Sequence, residues 1–101
     1  MAYKLVIDPK AIHDIQQAID IDYLDEKQPG LGKQFESSLN KHVLALRKNP
    51  FFRIRYDDVR CLPLKKFPYM IHFTVDEQYA LITIRAVFHT SRDTKNWGKR
   101  V

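Results

Sequence analysis

Two stretches in the second half of the chain alternate apolar and polar residues with the period of a β-strand, and they constrain the fold more than any other feature. In Tyr69–Val75, the residues Tyr69, Ile71, Phe73 and Val75 point one way, and Met70, His72 and Thr74 the other. In Tyr79–His89, Ala80, Ile82, Ile84, Ala86 and Phe88 form one side, opposite Leu81, Thr83, Arg85, Val87 and His89. The short link Glu77-Gln78 reads as a two-residue hairpin. It pairs Asp76 with Tyr79, Ile71 with Ile84 and His72 with Thr83. A one-residue slip would scramble both faces, so the register is strongly specified. In this reading one face is apolar, while Met70, His72, Thr74, Thr83, Arg85 and His89 share an open, polar one.

The first half supplies what covers the apolar face. Tyr3–Ile7 reads as a strand, and Asp8-Pro9 starts a helix: the Asp oxygen caps free N–H groups, and proline suits the first helical position. Ile12, Ile15, Ile19 and Tyr23 then recur at helical spacing, with Ile21 and Leu24 off that stripe. Gln28-Pro29-Gly30 breaks the helix. A second begins near Leu31, with Leu31, Phe35, Leu39, Val43 (or His42) and Leu46 on one side. Arg47 and Lys48 suit its negative end, Asn49 fits a left-handed cap, and Pro50 stops it. The short connection predicts an antiparallel helical hairpin. Val59–Lys65 is a further strand, and Pro63 places it at an edge or a bulge. The expected class is α+β: an N-terminal strand, an antiparallel helical hairpin and a three-stranded antiparallel meander packed on it.

A chain of 101 residues holds one core, so residues 1–101 are read as one domain. The longest apolar runs fall far short of the ~18 residues of a membrane span, and no basic region precedes an apolar one at the start; a cytoplasmic protein with no membrane partner is expected. Cys61 is the single cysteine. It suits a reducing compartment and reads as a small strand residue. His13, His42, His72 and His89 do not cluster, so no metal or other cofactor is expected. Charge is more informative. Residues 1–46 carry five Lys/Arg against seven Asp/Glu, whereas residues 47–101 carry twelve against five. This asymmetry fits a surface that meets a polyanion or an acidic protein segment, and equally a basic surface that only keeps the protein soluble.

With these elements in order, the chain resembles the RelE/ParE superfamily of toxins. The resemblance is carried by Gly30-Leu31-Gly32-Lys33-Gln34-Phe35 at the second helix, Arg60 opening the meander, and Lys66-Phe67-Pro68-Tyr69. Ala86-Val87-Phe88-His89 and then Arg92-Asp93 complete it. Ile21 departs from the pattern, since relatives often place an aromatic there. The resemblance implies a growth-inhibiting bacterial toxin of a type II toxin–antitoxin (plasmid stabilisation) system, neutralised by a cognate antitoxin that wraps it with an extended segment. A homodimer or a toxin–antitoxin heterotetramer is compatible with it. Two branches are implied: ParE-like poisons of DNA gyrase, and RelE-like toxins that cut mRNA on the ribosome.

Metal-independent RNA cleavage requires an acid, a base and cations for the phosphorane. The candidates are His89, Arg85, Arg92, Arg60 and His72, with His89 and Arg85 on one strand face. Each has a plainer reading: His72 as a half-buried residue bonding across the sheet, Arg85 as the partner of an acid, His89 as a structural or antitoxin-binding residue. Arg60, Arg85, His89, Arg92 and Trp97 are also the expected antitoxin- or target-binding residues. RelE-like nucleases tend to carry a tyrosine near the C-terminus, and this chain has none after Tyr79. Trp97 stands there instead, among Lys95, Lys99 and Arg100. Arg53, Arg55, Tyr56 and the Phe51-Phe52 pair form a basic, aromatic loop that either touches RNA or covers the helix ends. The ParE-like branch is favoured. A third reading is an inactive orphan binding module of the same fold.

Overall fold

The computed structural model describes residues 3–22 and 30–90. The elements run β1 (Lys4–Ile7), α1 (Pro9–Asp22), α2 (Leu31–Lys48), β2 (Ile54–Tyr56), β3 (Val59–Pro63), β4 (Tyr69–Asp76) and β5 (Leu81–His89). The strands form one sheet in the order β1-β5-β4-β3-β2. β1 is parallel to β5 and the remaining pairs are antiparallel. Both helices contribute to the core on one face of this sheet, through Ala11 and Ala18 of α1 and Phe35, Leu39 and Leu46 of α2.

Helix α1 starts as its sequence dictates, with Asp8 Oδ1 accepting from the Lys10 N–H at 2.9 Å and Pro9 as the first residue. Its buried stripe is rotated from the isoleucine spacing. Ala11, Asp14 and Ala18 are buried, Ile15 and Ile19 half-buried, and Ile12 is 54% exposed. Small side chains on the inner face let the helix lie close to β5, so the bulkier isoleucines take its flanks. Tyr23, Ile21 and Leu24 lie outside the described side chains. Helix α2 buries the expected side. Its end differs: Asn49 is extended, with φ −149° and ψ 90°, instead of left-handed. Pro50 supplies the reason, because a residue preceding proline is pushed toward extended backbone.

The meander carries two corrections. First, Ile54–Tyr56, expected as part of a loop, forms strand β2; three residues are too few to show a period. It pairs Ile54 with Arg60 and Tyr56 with Val59, and Asp57 turns the chain at φ 47°. Strand β3 ends at Pro63, which pairs with Met70 and lies beyond the stretch that β2 covers.

Second, the β4–β5 connection has four residues, Glu77 to Ala80, so Asp76 faces Leu81 and Phe73 faces Ile84. This differs from the two-residue hairpin by an even step, which preserves the faces as far as Ile84. A bulge follows. His72 pairs with Ala86 while Phe73 pairs with Ile84, leaving Arg85 as the extra residue. One extra residue inverts every side chain beyond it. Ile82, Ile84 and Val87 therefore face the helices, while Ala86 and Phe88 join Cys61 and Met70 in a second apolar cluster against which Tyr56 packs. The face expected to be open and polar carries a core of its own.

The bulge has a partner in α1. Asp14, 7% exposed, accepts from the Val87 N–H at 3.1 Å. A helix carboxylate thus satisfies a backbone donor where the strand changes face.

Candidate functional site

The bulge decides where the candidate residues stand. Arg85 donates from Nε to Thr74 Oγ1 at 3.2 Å, and its guanidinium lies 4.0 Å from Asp8 Oδ2. This is the acid-paired arginine of the plainer reading. It lies on the face away from the helices, beside a cleft of about 490 Å³ that also exposes Asp58, Asp76 and Glu77. His89 goes the other way. It pairs with Tyr69 across the strands, and its ring meets that of Tyr69 edge-on at 5.2 Å, on the helix side where Tyr69 belongs to the core. The expected shared face of His89 and Arg85 is therefore corrected: the bulge puts them on opposite sides.

Arg60 pairs with Phe73 and holds its guanidinium over the Phe51 ring at 5.3 Å, a cation–π contact that orients the side chain. Phe51 in turn meets Tyr3 edge-on, and Phe52 meets Phe73. The Phe51-Phe52 pair thus covers the edge of the helix-side core. Arg92 and Trp97 lie outside the described residues.

His72 is buried completely, not by half, and it faces Cys61 and Ala86 instead of Thr83. Its Nδ1 lies 3.0 Å from the Tyr56 hydroxyl and 3.4 Å from Cys61 Sγ, and its ring stands edge-on to Phe88 at 5.0 Å. Burial, followed by the charges of Cys61, Asp57 and Asp58, pushes the Tyr56 hydroxyl up to about 12. Burial pushes the Cys61 thiol up to about 11, against the opposing pull of Arg55. Both groups keep their protons at neutral pH, and the phenol shares a hydrogen bond with Nδ1 whose direction follows the imidazole tautomer. Neither is a nucleophile there, since the thiolate is the reactive form. No local pattern in the sequence marks this cluster, because only the β2–β3 pairing carries Tyr56 over His72.

At the β2 end, a cleft of about 430 Å³ is lined by Phe52, Arg53, Ile54, Arg55 and Cys61. Its two arginines are exposed. Among the described residues no three His, Cys, Asp or Glu side chains gather as a metal set, and no helix is long and apolar enough to cross a membrane. What the described residues present is a set of charged and apolar surfaces around a largely buried polar cluster.

No protein-family model matches the chain, and no curated protein matches it in sequence. Solved structures do match. A chain of the chromosomal ParDE toxin–antitoxin system from P. aeruginosa aligns with a TM-score of 0.69 at 17% identity, covering 89% of this chain and 98% of that one. The E. coli toxin RelE, as a doubly substituted arginine mutant in the free state, aligns with a TM-score of 0.70 at 15% identity over 99% and 95%. The RelBE2 toxin–antitoxin complex from Mycobacterium tuberculosis gives 0.64 at 12% identity over 91% and 95%. These likenesses span nearly the whole of each chain, and at such identities they concern architecture. The chain shares the fold of these ParDE, RelE and RelBE2 structures.

Proposed function

We propose that this chain is the toxin of a type II toxin–antitoxin pair, that it poisons a protein target, DNA gyrase, through binding surfaces, and that a cognate antitoxin neutralises it. The toxin reading rests on the fold, shared with ParDE, RelE and RelBE2 structures. The choice of target rests on one observation: the bulge at Arg85 puts that arginine and His89 on opposite faces of the sheet. An acid–base pair acting on one phosphodiester must reach it from one side. Arg85 also lies among Asp8, Asp58, Asp76 and Glu77, which oppose a polyanion there. Inhibition by binding requires complementary surfaces and no such pair.

The antitoxin segment is expected to combine apolar anchors with charges that match Arg60, Arg85, His89, Arg92 and Trp97. Arg60 and Arg85 lie on opposite faces, so a segment that meets both must pass over a sheet edge. Wrapping by an extended chain accomplishes this.

The test is induction in a bacterial host with and without the neighbouring reading frame, followed by purified protein assayed on gyrase supercoiling and on mRNA in programmed ribosomes. Growth arrest relieved by the neighbour, with supercoiling blocked, is the expected result. Site-specific mRNA cuts that vanish in His89→Gln, with supercoiling untouched, would replace gyrase by the ribosome. No growth effect under any condition would leave a binding module of the same fold.

A further inference from the structure

Behind the sheet, on the outer side of α2, lies a cleft that none of the surfaces above uses. Gln34, Ser37, Ser38 and Lys41 recur at intervals of three and four residues, so they form one stripe of α2. Across from them stand Lys65 and Lys66 of the β3–β4 connection, and together they line a cleft of about 360 Å³. The core fixes this placement. Phe67 is buried, and its ring meets Phe35 of α2 edge-on at 5.4 Å, which pins the connection to the helix. The backbone is tightly turned: the Lys65 carbonyl accepts from the Phe67 N–H at 2.7 Å, around Lys66 at φ 65°. A three-residue turn with positive φ at its centre is strained for a side-chain-bearing residue. Glycine would fit it more easily, yet a lysine occupies it and projects its charge at the cleft.

All three lysines are exposed. Among the described residues none has a carboxylate within ion-pair distance, and no acid lines the cleft. Like charges gathered without counter-charge are stabilised by an anion. Phe67, the sole large apolar side chain of the lining, is turned into the core. An acidic peptide would lack the apolar anchor that normally supplies much of its affinity. Ammonium groups beside hydroxyl and amide donors suit the non-bridging oxygens of successive phosphates.

We propose that Lys41, Lys65 and Lys66, with Ser37, Ser38 and Gln34, form a contact site for the phosphodiester backbone of a nucleic acid, independent of base sequence. It stands apart from the surfaces of the toxin reading and does not depend on that reading.

The purified full-length chain is titrated into a labelled DNA duplex and, separately, a labelled single-stranded RNA, by fluorescence anisotropy between roughly 50 and 200 mM salt. Each neutralised phosphate contributes about 0.9 to the salt slope on duplex DNA and about 0.7 on a single strand. The combined Lys41→Gln, Lys65→Gln and Lys66→Gln variant should lose about 2.7 of slope on DNA, or about 2.1 on RNA, and on the order of 10²-fold in affinity at 0.1 M salt. The corresponding triple arginine variant should bind like wild type. Whichever probe shows this loss identifies the nucleic acid. Should the triple glutamine variant fail to fold, Lys41→Gln alone must still lower the slope by about 0.9 or 0.7. Absence of wild-type binding to both probes overturns the proposal. So does binding that survives the lysine changes and disappears instead in an Arg53→Gln, Arg55→Gln variant.

Discussion

Replacing Asp14 tests the claim that a helix carboxylate sets the face change of β5. In Asp14→Ala the Val87 N–H loses its acceptor at 3.1 Å in a residue that is 2% exposed, where water cannot readily replace it. A hydrogen bond to a charged group is worth about 1.5–3 kcal/mol, and a stranded buried donor costs a similar amount. Alanine is the better helix former, which returns up to about 0.7 kcal/mol. The expected net loss is about 2 kcal/mol, or roughly 8–16 °C in Tm for a domain of this size. Asp14→Asn keeps a carbonyl oxygen at the same reach and should lose about half as much, since neutral acceptors contribute about 1 kcal/mol. Thermal unfolding followed by circular dichroism gives the two shifts, and amide exchange at Val87 shows whether that N–H is released. Equal melting temperatures for Asp14→Ala and Asp14→Asn, or an alanine variant within about 0.5 kcal/mol of wild type, would refute the reasoning.

Further outcomes follow from the two-sided core. Phe88→Ala should cost about 3–5 kcal/mol, because Phe88 is buried even though it faces away from the helices, while Ile12→Ala on the exposed flank of α1 should stay within about 0.5 kcal/mol; chemical denaturation separates them. Tyr56→Phe removes the hydroxyl that hydrogen-bonds His72 Nδ1 and should cost about 1 kcal/mol by the same assay. The Cys61 thiol and the Tyr56 hydroxyl are raised in the folded state from 9.0 to about 11 and from 10.0 to about 12. Their contribution to stability is therefore complete below pH 9 and declines as pH rises through about 11 and 12, so urea midpoints should fall across that alkaline window and Tyr56→Phe should flatten its upper part. In the native protein Cys61 should react with a thiol reagent at pH 7 far more slowly than in urea, and comparable rates would contradict its burial. His89→Gln should retain toxicity in the induction assay if gyrase is the target, whereas a ribonuclease should lose on the order of 10²–10⁴ in rate.

Local sequence determined much of this protein. Asp8-Pro9 and Pro50 delimit the helical region because capping and proline geometry act within a few residues. The inner side of α2 and the face assignment of β4 follow from periodicity alone, as side-chain direction is fixed by helix and strand geometry. Tertiary structure decided the rest. Nothing local marks Arg85 as a bulge: the run from Ala80 to Phe88 alternates without a break, and only pairing with β4, together with the Asp14 carboxylate from α1, shows that one residue is extra. That single insertion moved Phe88 to the outer face and His89 to the inner one, and so separated two residues that strict alternation had brought together. Strand β2 is likewise a product of pairing, because three residues acquire strand geometry from the neighbour that bonds them. The Tyr56–His72–Cys61 cluster and the meeting of Lys41 with Lys65 and Lys66 depend on contacts far apart in the chain. Periodicity reads direction along one element, whereas these arrangements exist only where elements meet.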